Sequence, residues 1–141
     1  PDTHIVAHSL GGLVALKALA GATAFKGRII CIGSPLAGSR AARALASHHA
    51  GRMAGHSLPL LCQGLQRVPE GLKVSVIAGT KPHGLGRLLR RFDEPSDGTV
   101  ALSETQIPGL ERHITVPVSH SGQLFSKTVV DEVLGLLNSL S

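Results

Sequence analysis

Four short apolar runs recur along the chain, each separated from the next by a longer stretch of mixed composition. They are rich in β-branched residues and predict strands at 3–7, 27–33, 72–78 and 113–116. The run at 27–33 is apolar almost throughout. Such a run is typical of a strand that is covered on both faces, as the strands of a parallel sheet are.

The stretches between and after these runs place apolar residues at helical spacing and predict helices at 11–19, 40–49 and 126–140. Ser39 is placed to cap the second helix. The apolar face predicted for the last helix consists of Val129, Val130, Val133, Leu136, Leu137 and Leu140. Residues 50–71 are punctuated by glycine and proline, and their structure is left open. Because strands and helices alternate, we predict an α/β fold, with a mostly parallel sheet and helices on both faces.

Composition excludes several classes of protein. With 141 residues the chain has the length of one domain, and 43% apolar against 16% charged residues excludes a disordered tail. Aromatic residues make up only 2%, which argues against an RNA-binding module with stacking platforms. No apolar run approaches the roughly 20 residues that span a bilayer.

The net charge of +5 is scattered along the chain, apart from Arg87, Arg90 and Arg91. A surplus scattered in this way does not predict a nucleic-acid partner, and we expect none. Around the three arginines, residues 84–92 place apolar side chains on one side of a predicted helix and the arginines on the other. The favoured interpretation is an ordinary surface helix. The alternative is a lid that rests on an anionic lipid surface, so contact with a membrane stays open.

Cysteine and histidine form no recognised disulfide or metal pattern. The two cysteines make no disulfide framework, and Cys31 lies inside an apolar run, where we expect a buried free thiol. His48, His49, His56 and Cys62 form a loose cluster whose spacing matches no zinc pattern. We therefore predict neither a metal site nor a cofactor.

The strongest chemical signal is a serine between the first strand and the first helix. Residues around Ser9 match the Gly-x-Ser-x-Gly pattern, with Ala7 in the first glycine position and Gly11 in the second. A sharp strand-to-helix turn needs such small residues on both sides, whereas a serine that only caps a helix does not. We expect Ser9 to be a nucleophile, with the backbone N–H of Leu10 facing a developing oxyanion at the start of the helix.

A serine nucleophile needs a base and an acid that orients the base. In a strand–turn–helix arrangement of this kind the acid and then the histidine follow in the chain, each after a later strand. Asp97 follows the third strand and His120 the fourth. Asp97 is favoured because Gly98 lets the backbone turn sharply beside it. The alternative acids are Asp93 and Glu94, interpreted as solvated loop charges, and Asp131 on the last helix.

Two histidines near the first strand are interpreted as structural. His8 neighbours the serine in the chain, but we expect its side chain to point away from that of Ser9 and to pack behind the site. His4 lies at the entry of the strand. Neither is predicted to take part in the chemistry.

Four stretches of the chain resemble the α/β-hydrolases of the lipase and esterase type. They are residues 7–12 around the serine, 33–39, 96–100 and 120–122. Bacterial triacylglycerol lipases and inositol-deacylase-like hydrolases have similar stretches, and the similarity runs from Thr3 to about Leu140. The resemblance implies that residues 1–141 are the C-terminal part of a single α/β-hydrolase domain whose N-terminal strands are missing.

The resemblance also implies a catalytic triad. Ser9 attacks the acyl carbonyl, His120 acts as general base and then as general acid, and Asp97 orients His120. In this family the second oxyanion donor comes from a loop after an earlier strand, which this chain lacks, so Leu10 supplies half of the oxyanion hole. The loss of one donor costs about 10²–10³-fold in rate.

In the resembling fold the nucleophile strand has neighbours on both sides. Here the strand 3–7 can pair with 27–33, and we expect an N-terminal segment or another chain to cover its other edge. The chain has no initiator Met and no secretory leader, since Pro1 is followed at once by Asp2 and His4. We expect it to begin partway through a longer protein, and the missing leader favours the cytoplasm.

The predicted function is the hydrolysis of carboxylic esters with apolar acyl groups by a serine hydrolase. Two alternatives stay open. One is a non-catalytic fragment or binding module that keeps the fold, and the other is an acyltransferase that uses the same residues. Hydrolysis and transfer differ only in whether water or another nucleophile accepts the acyl group.

Overall fold

The computed structural model of the protein describes residues 3–46, 57–82 and 94–139. Four parallel strands form one sheet, in the order in which they occur along the chain. They are β1 (Ile5–His8), β2 (Arg28–Ile32), β3 (Lys73–Gly79) and β4 (Arg112–Val116). In the register of the sheet Ala7 lies opposite Cys31, and Cys31 lies opposite Val76. The carboxyl ends of the strands therefore lie along one edge of the sheet.

The described residues also form α-helices and short 3₁₀-helices. They are α1 (Leu10–Ala18), α2 (Arg40–Ala46), α3 (Ser57–Gln63) and α4 (Lys127–Asn138), with short 3₁₀-helices at Leu102–Thr105 and Gly122–Phe125. The predicted α/β fold is confirmed, because each strand and helix predicted within the described residues is present, with ends shifted by no more than two residues. Residues 47–49 and 140 of the predicted helices lie outside the described ranges. Helix α3 lies within residues 50–71, for which the sequence predicts no particular structure.

The two faces of the sheet explain why β2 is apolar from Ile29 to Ile32. On one face Cys31 packs in a cluster with Leu16 of α1, and on the other Ile30 packs in a cluster with Leu136 of α4. Successive side chains of a strand point to opposite faces. A strand with helices on both sides is therefore apolar at successive buried positions, as Ile29 to Ile32 are here.

Capping of α2 follows the prediction, but the buried face of α4 does not follow it fully. Ser39 Oγ accepts a hydrogen bond from the N–H of Ala42 (3.1 Å) and so caps α2. In α4 the prediction is wrong at Val130, whose side chain is 51% exposed, while Val129 is 2% exposed. Val129 lies on the buried face of α4. Because successive residues of a helix are about 100° apart around its axis, Val130 is turned toward solvent. Leu140 is outside the described residues.

The outer edge of β1 has no strand paired to it within the described residues, and Val6 on this strand is 49% exposed. Free N–H and C=O groups along such an edge can pair with another strand. That an N-terminal segment or another chain covers this edge stays a prediction. The lid interpretation also stays a prediction, because residues 84–92 lie outside the described ranges. No helix within those ranges is long and apolar enough to cross a bilayer.

Cys31 is expected to be unreactive in the folded protein. Its thiol is fully buried, and burial raises its pKa to about 12, so that at pH 8 only about one thiol in 10,000 is ionised. Because the thiolate is the reactive form, iodoacetamide at pH 8 should alkylate the partly exposed Cys62 long before Cys31. Peptide mass spectrometry after timed labelling measures both rates. Cys31 should react only once urea unfolds the protein, and equal rates in the native state would contradict its burial.

Candidate active site

Ser9 occupies a sharp turn between β1 and α1. Its backbone has φ 54° and ψ −126°, and it is the only non-glycine residue with a positive φ in the described ranges. Such a conformation costs about 1–3 kcal/mol and persists only where its surroundings hold it. Here the N–H of Ser9 donates to the carbonyl of Ile32 (2.8 Å), and α1 begins at the next residue. The serine therefore sits just beyond the carboxyl end of β1.

Small residues flank this turn, but the tightest contact lies one position beyond the predicted pattern. A Cβ atom at Gly11 would lie 3.7 Å from the Cβ of Ala7, which is an ordinary contact. A Cβ atom at Gly12 would lie 2.3 Å from the Oγ of the buried Ser34, which is a severe overlap. Gly12 thus lets α1 lie directly against the residues that follow β2.

The side chain of Ser9 belongs to a hydrogen-bonded chain rather than to the helix cap. It makes no capping hydrogen bond to α1. Its Oγ instead lies 3.1 Å from Nε2 of His120, and Nδ1 of His120 lies 2.7 Å from Oδ2 of Asp97. The structure thus brings together the three side chains predicted from the sequence, from the segments that follow β1, β3 and β4.

Backbone hydrogen bonds fix the carboxylate in this chain. Asp97 is 2% exposed, and its Oδ1 accepts the N–H groups of Thr99 (2.9 Å) and Val100 (2.8 Å). Gly98, directly after Asp97, has φ 97°, so the sharp turn expected beside Asp97 is present. The carbonyl of Asp97 also accepts the N–H of His120 (2.9 Å), which ties the two loops together.

The carboxylates considered as alternatives to Asp97 do not contact His120 in the described structure. Glu94 accepts the N–H (3.0 Å) and the hydroxyl (2.9 Å) of Ser103 and pairs with the guanidinium of Arg40. The N–H of Ser103 is the main reason that the pKa of Glu94 is lowered. Glu94 thus lies on a surface loop, as predicted, and its carboxylate links α2 to the 3₁₀-helix Leu102–Thr105. Asp131 forms an exposed ion pair within α4, and Asp93 lies outside the described residues.

His8 packs behind the hydrogen-bonded chain, as the sequence predicts. Its Nε2 lies 3.1 Å from the carbonyl oxygen of His120, and the two ring centroids are 4.7 Å apart. Burial lowers the pKa of His8, which favours a neutral ring that donates through Nε2–H. His4 has a structural role, because its Nδ1 accepts the N–H of Arg28 (3.1 Å) at the entry of β2.

Sequence reasoning missed one polar side chain and two glycines at the site. Gln123 is 1% exposed, and its Nε2 donates to Oδ2 of Asp97 (2.9 Å). Gly33 and Gly79, at the ends of β2 and β3, leave the space that this pair occupies. A Cβ atom at Gly33 would lie 2.8 Å from Nε2 of Gln123, and one at Gly79 would lie 2.7 Å from Cβ of Asp97. The position of Gln123 three residues after His120 is the only sequence signal that could have pointed to it.

A cavity of about 300 Å³ opens beside Ser9. Its apolar walls come from the residue after Ser9, the loop after β2, helices α2 and α3, and the turn beyond Asp97. The principal apolar side chains are Leu10, Pro35, Ala42, Leu58, Leu61 and Val100. None of the described residues that line it carries a charge. The cavity can therefore receive an apolar group that is attached to a carbonyl at Ser9.

A metal centre finds no support in the described part of the chain. No group of three or more His, Cys, Asp and Glu side chains there could hold a metal ion. His48, His49 and His56 lie outside the described residues, so the expectation that they bind no metal stays a prediction.

Comparison with known proteins identifies the fold. No protein-family model and no curated protein matches the chain. Lipase BlEst2 of Bacillus licheniformis in its propeptide form matches with a TM-score of 0.79 and 21% identity, over 96% of this chain and 36% of the lipase chain. Its mature form matches with a TM-score of 0.72 and 20% identity, over 96% of this chain and 65% of the other.

A metagenomic carboxyl esterase is also similar, with a TM-score of 0.67 and 19% identity over 85% of this chain and 46% of the esterase. The chain spans less than two thirds of the length of each of these solved structures. The chain therefore shares the fold of these lipase and esterase structures, a parallel sheet with helices packed against it.

Proposed function

We propose that the protein is a serine hydrolase that cleaves carboxylic esters with apolar acyl groups. The observation that carries the proposal is the chain of contacts from Ser9 Oγ to His120 Nε2 (3.1 Å) and from His120 Nδ1 to Asp97 Oδ2 (2.7 Å). A serine held at positive φ and bonded to a histidine, which is bonded to a buried carboxylate, is the arrangement that activates a hydroxyl for acyl transfer. The names of the similar structures, two lipase forms and a carboxyl esterase, agree with this chemistry.

The geometry suits a two-step reaction. His120 accepts the proton of Ser9 Oγ as this oxygen attacks the ester carbonyl, and then donates the proton to the departing alcohol. Water attacks the resulting acyl-serine with the same histidine as base, which releases the carboxylic acid. Asp97 accepts Nδ1–H of His120 and so keeps Nε2 free to accept the serine proton.

When Ser9 Oγ adds to the ester carbonyl, the carbonyl oxygen becomes an oxyanion in a tetrahedral intermediate. This oxyanion would face the amino end of α1. The N–H of Leu10 is the first amide of that helix, and the first amides of a helix have no acceptor within the helix. The helix dipole adds partial positive charge at this end. This chain therefore contributes one oxyanion donor, directly beside the nucleophile.

The substrate class follows from the cavity beside Ser9. Its lining includes Leu58 and Leu61 of α3 but no charged side chain among the described residues. An apolar acyl chain loses contact with water there without leaving a polar group unpaired. A charged acyl group would lose its hydration and gain no partner.

A fluorophosphonate probe tests the proposal in the full-length protein. We expect the probe to label Ser9, and Ser9→Ala to abolish labelling and to lower the hydrolysis of p-nitrophenyl esters by about 10⁴-fold or more. Ser57→Ala removes another serine beside the same cavity and should keep both activities. Labelling that persists in Ser9→Ala would refute the assignment. Labelling without hydrolysis, but with transfer of the acyl group to an added alcohol, would favour an acyltransferase.

A further inference from the structure

We propose that Gln123 is a positioning residue that holds the Asp97 carboxylate in place to orient His120. The inference rests on the proposed function and adds a fourth side chain to its hydrogen-bonded chain. Gln123 does not reach Ser9 in any contact described above, and it does not line the cavity. Its effect on the reaction would pass through Asp97 alone.

The donors around Asp97 show what Gln123 contributes. Oδ1 accepts two backbone N–H groups, from Thr99 and Val100. Oδ2 accepts Nδ1–H of His120 (2.7 Å) and Nε2–H of Gln123 (2.9 Å). Without Gln123, the only donor to Oδ2 among the described residues would be His120, which this oxygen has to orient. The amide therefore fixes Oδ2 independently of the state of His120.

The space around Gln123 is shaped to hold it in one conformation. The N–H of Gln123 donates to the carbonyl of Ser119 (3.0 Å), so its backbone is fixed in the short helix after His120. Gly33 and Gly79 lie against its Nε2, where a Cβ atom would come within 2.8 Å and 2.9 Å of that nitrogen. Two strand ends thus lack side chains at the point where the amide reaches the carboxylate.

An amide suits this position better than the other polar side chains of similar size. It always carries two hydrogens on nitrogen, and it has no proton to exchange with His120 or Asp97. A glutamate would repel Asp97 whenever both were ionised. The Oε1 atom of Gln123 is buried and has no hydrogen-bond partner among the described residues, so the bond to Asp97 is the one that its side chain makes.

Two substitutions of nearly equal size separate positioning from packing. Gln123→Met keeps the length of the side chain and removes the donor. We expect kcat to fall roughly tenfold to 100-fold, the range typical of residues that orient a reacting group, with KM nearly unchanged because the cavity is intact. Gln63→Met, on the exposed surface of α3, is the matched control and should keep both constants.

Gln123→Glu gives a readout that a purely structural role would not move. A protonated carboxyl can donate to Oδ2 as the amide does, whereas an ionised one cannot. The ratio of kcat/KM in Gln123→Glu to that in the wild type should therefore rise as the pH falls. A ratio that does not change with pH would overturn the inference, as would a kcat in Gln123→Met equal to that of the wild type.

An NMR measurement keeps this test separate from the test of the proposed function. The proton on Nδ1 of His120, in its hydrogen bond to Asp97, should give a downfield resonance in the wild type. This resonance should shift or broaden in Gln123→Met and return in Gln123→Glu at low pH. If the wild type fails to react with the fluorophosphonate, the proposed function fails, and the resonance still decides the role of Gln123. An unchanged resonance in Gln123→Met would overturn that role.

Discussion

Replacing Asp97 with asparagine is expected to lower kcat for ester hydrolysis about 10⁴-fold in a protein that still folds. Asparagine has nearly the same shape, and its oxygen can still accept the N–H groups of Thr99 and Val100. Its amide would present N–H toward Nδ1 of His120, which favours the tautomer that carries its proton on Nε2. That nitrogen then faces Ser9 as a donor and cannot accept the serine proton.

Steady-state kinetics with a p-nitrophenyl ester measures this effect. The loss should fall on kcat, because Asp97 stands behind His120 and away from the acyl cavity. Asp131→Asn is the matched control: it makes the same chemical change on the exposed side of α4, where the carboxylate only pairs with Lys127, and it should leave kcat unchanged. If Asp97→Asn keeps more than about a tenth of the wild-type kcat, the carboxylate does not orient the base as proposed.

Replacing Gly64 with alanine is expected to reduce the free energy of unfolding by about 3 kcal/mol or more. Gly64 has φ 61°, which L-residues rarely adopt. An added Cβ would also lie 2.2 Å from the backbone nitrogen of Gly38 and 2.4 Å from the carbonyl carbon of Ala37. Backbone atoms cannot rotate away as a side chain can, so the loop after β2 would have to move.

Gly71→Ala provides the comparison that isolates this overlap. Gly71 also has a positive φ, 81°, but a Cβ there would meet no atom within 4 Å. Its substitution should cost only the backbone strain, about 1 kcal/mol. Urea denaturation gives both values, with the m-value as a check that each variant still unfolds in one step. Equal losses in the two variants would contradict the close approach at Gly64.

The contact at Gly64 also has a consequence for the site. The N–H of Leu65 donates to the carbonyl of Leu36 (2.7 Å), so the segment after α3 is bonded to the loop that includes Pro35. Pro35 and Leu61 line the cavity beside Ser9 from these two segments. A displaced loop in Gly64→Ala should therefore raise KM for apolar esters as well as lower stability, whereas Gly71→Ala should leave KM unchanged.

Local patterns were sufficient for the elements that depend on a few consecutive residues. The apolar run in β2 predicts a strand covered on both faces, because each of its side chains must meet a helix layer. The turn at Ser9 is encoded by a serine between small residues, and Ser39 caps α2 through a bond to a residue three positions on. The nature of each of these features is set by its immediate neighbours in the chain.

Helix α3 shows where local patterns mislead. Glycine and proline are frequent in the segment 50–71, so the sequence pattern did not indicate helix α3, which contains Pro59. Pro59 lies in the first turn of α3, where the missing N–H has no acceptor within the helix and the ring meets no preceding turn. Packing of Leu58 and Leu61 around the cavity and core then stabilises the helix, and that packing depends on distant parts of the chain.

The sequence by itself determined the α/β order of elements and the candidates Ser9, Asp97 and His120, because each is marked by a nearby strand, turn or glycine. Only the tertiary structure decided what surrounds them. Gln123 reaches Asp97 across 26 residues of sequence, and Gly33 and Gly79 make room for that contact at the ends of β2 and β3. A buried polar side chain needs hydrogen-bond partners, and here the partners depend on which strand ends lie together at the edge of the sheet. The spacing of these residues along the chain does not reveal that arrangement.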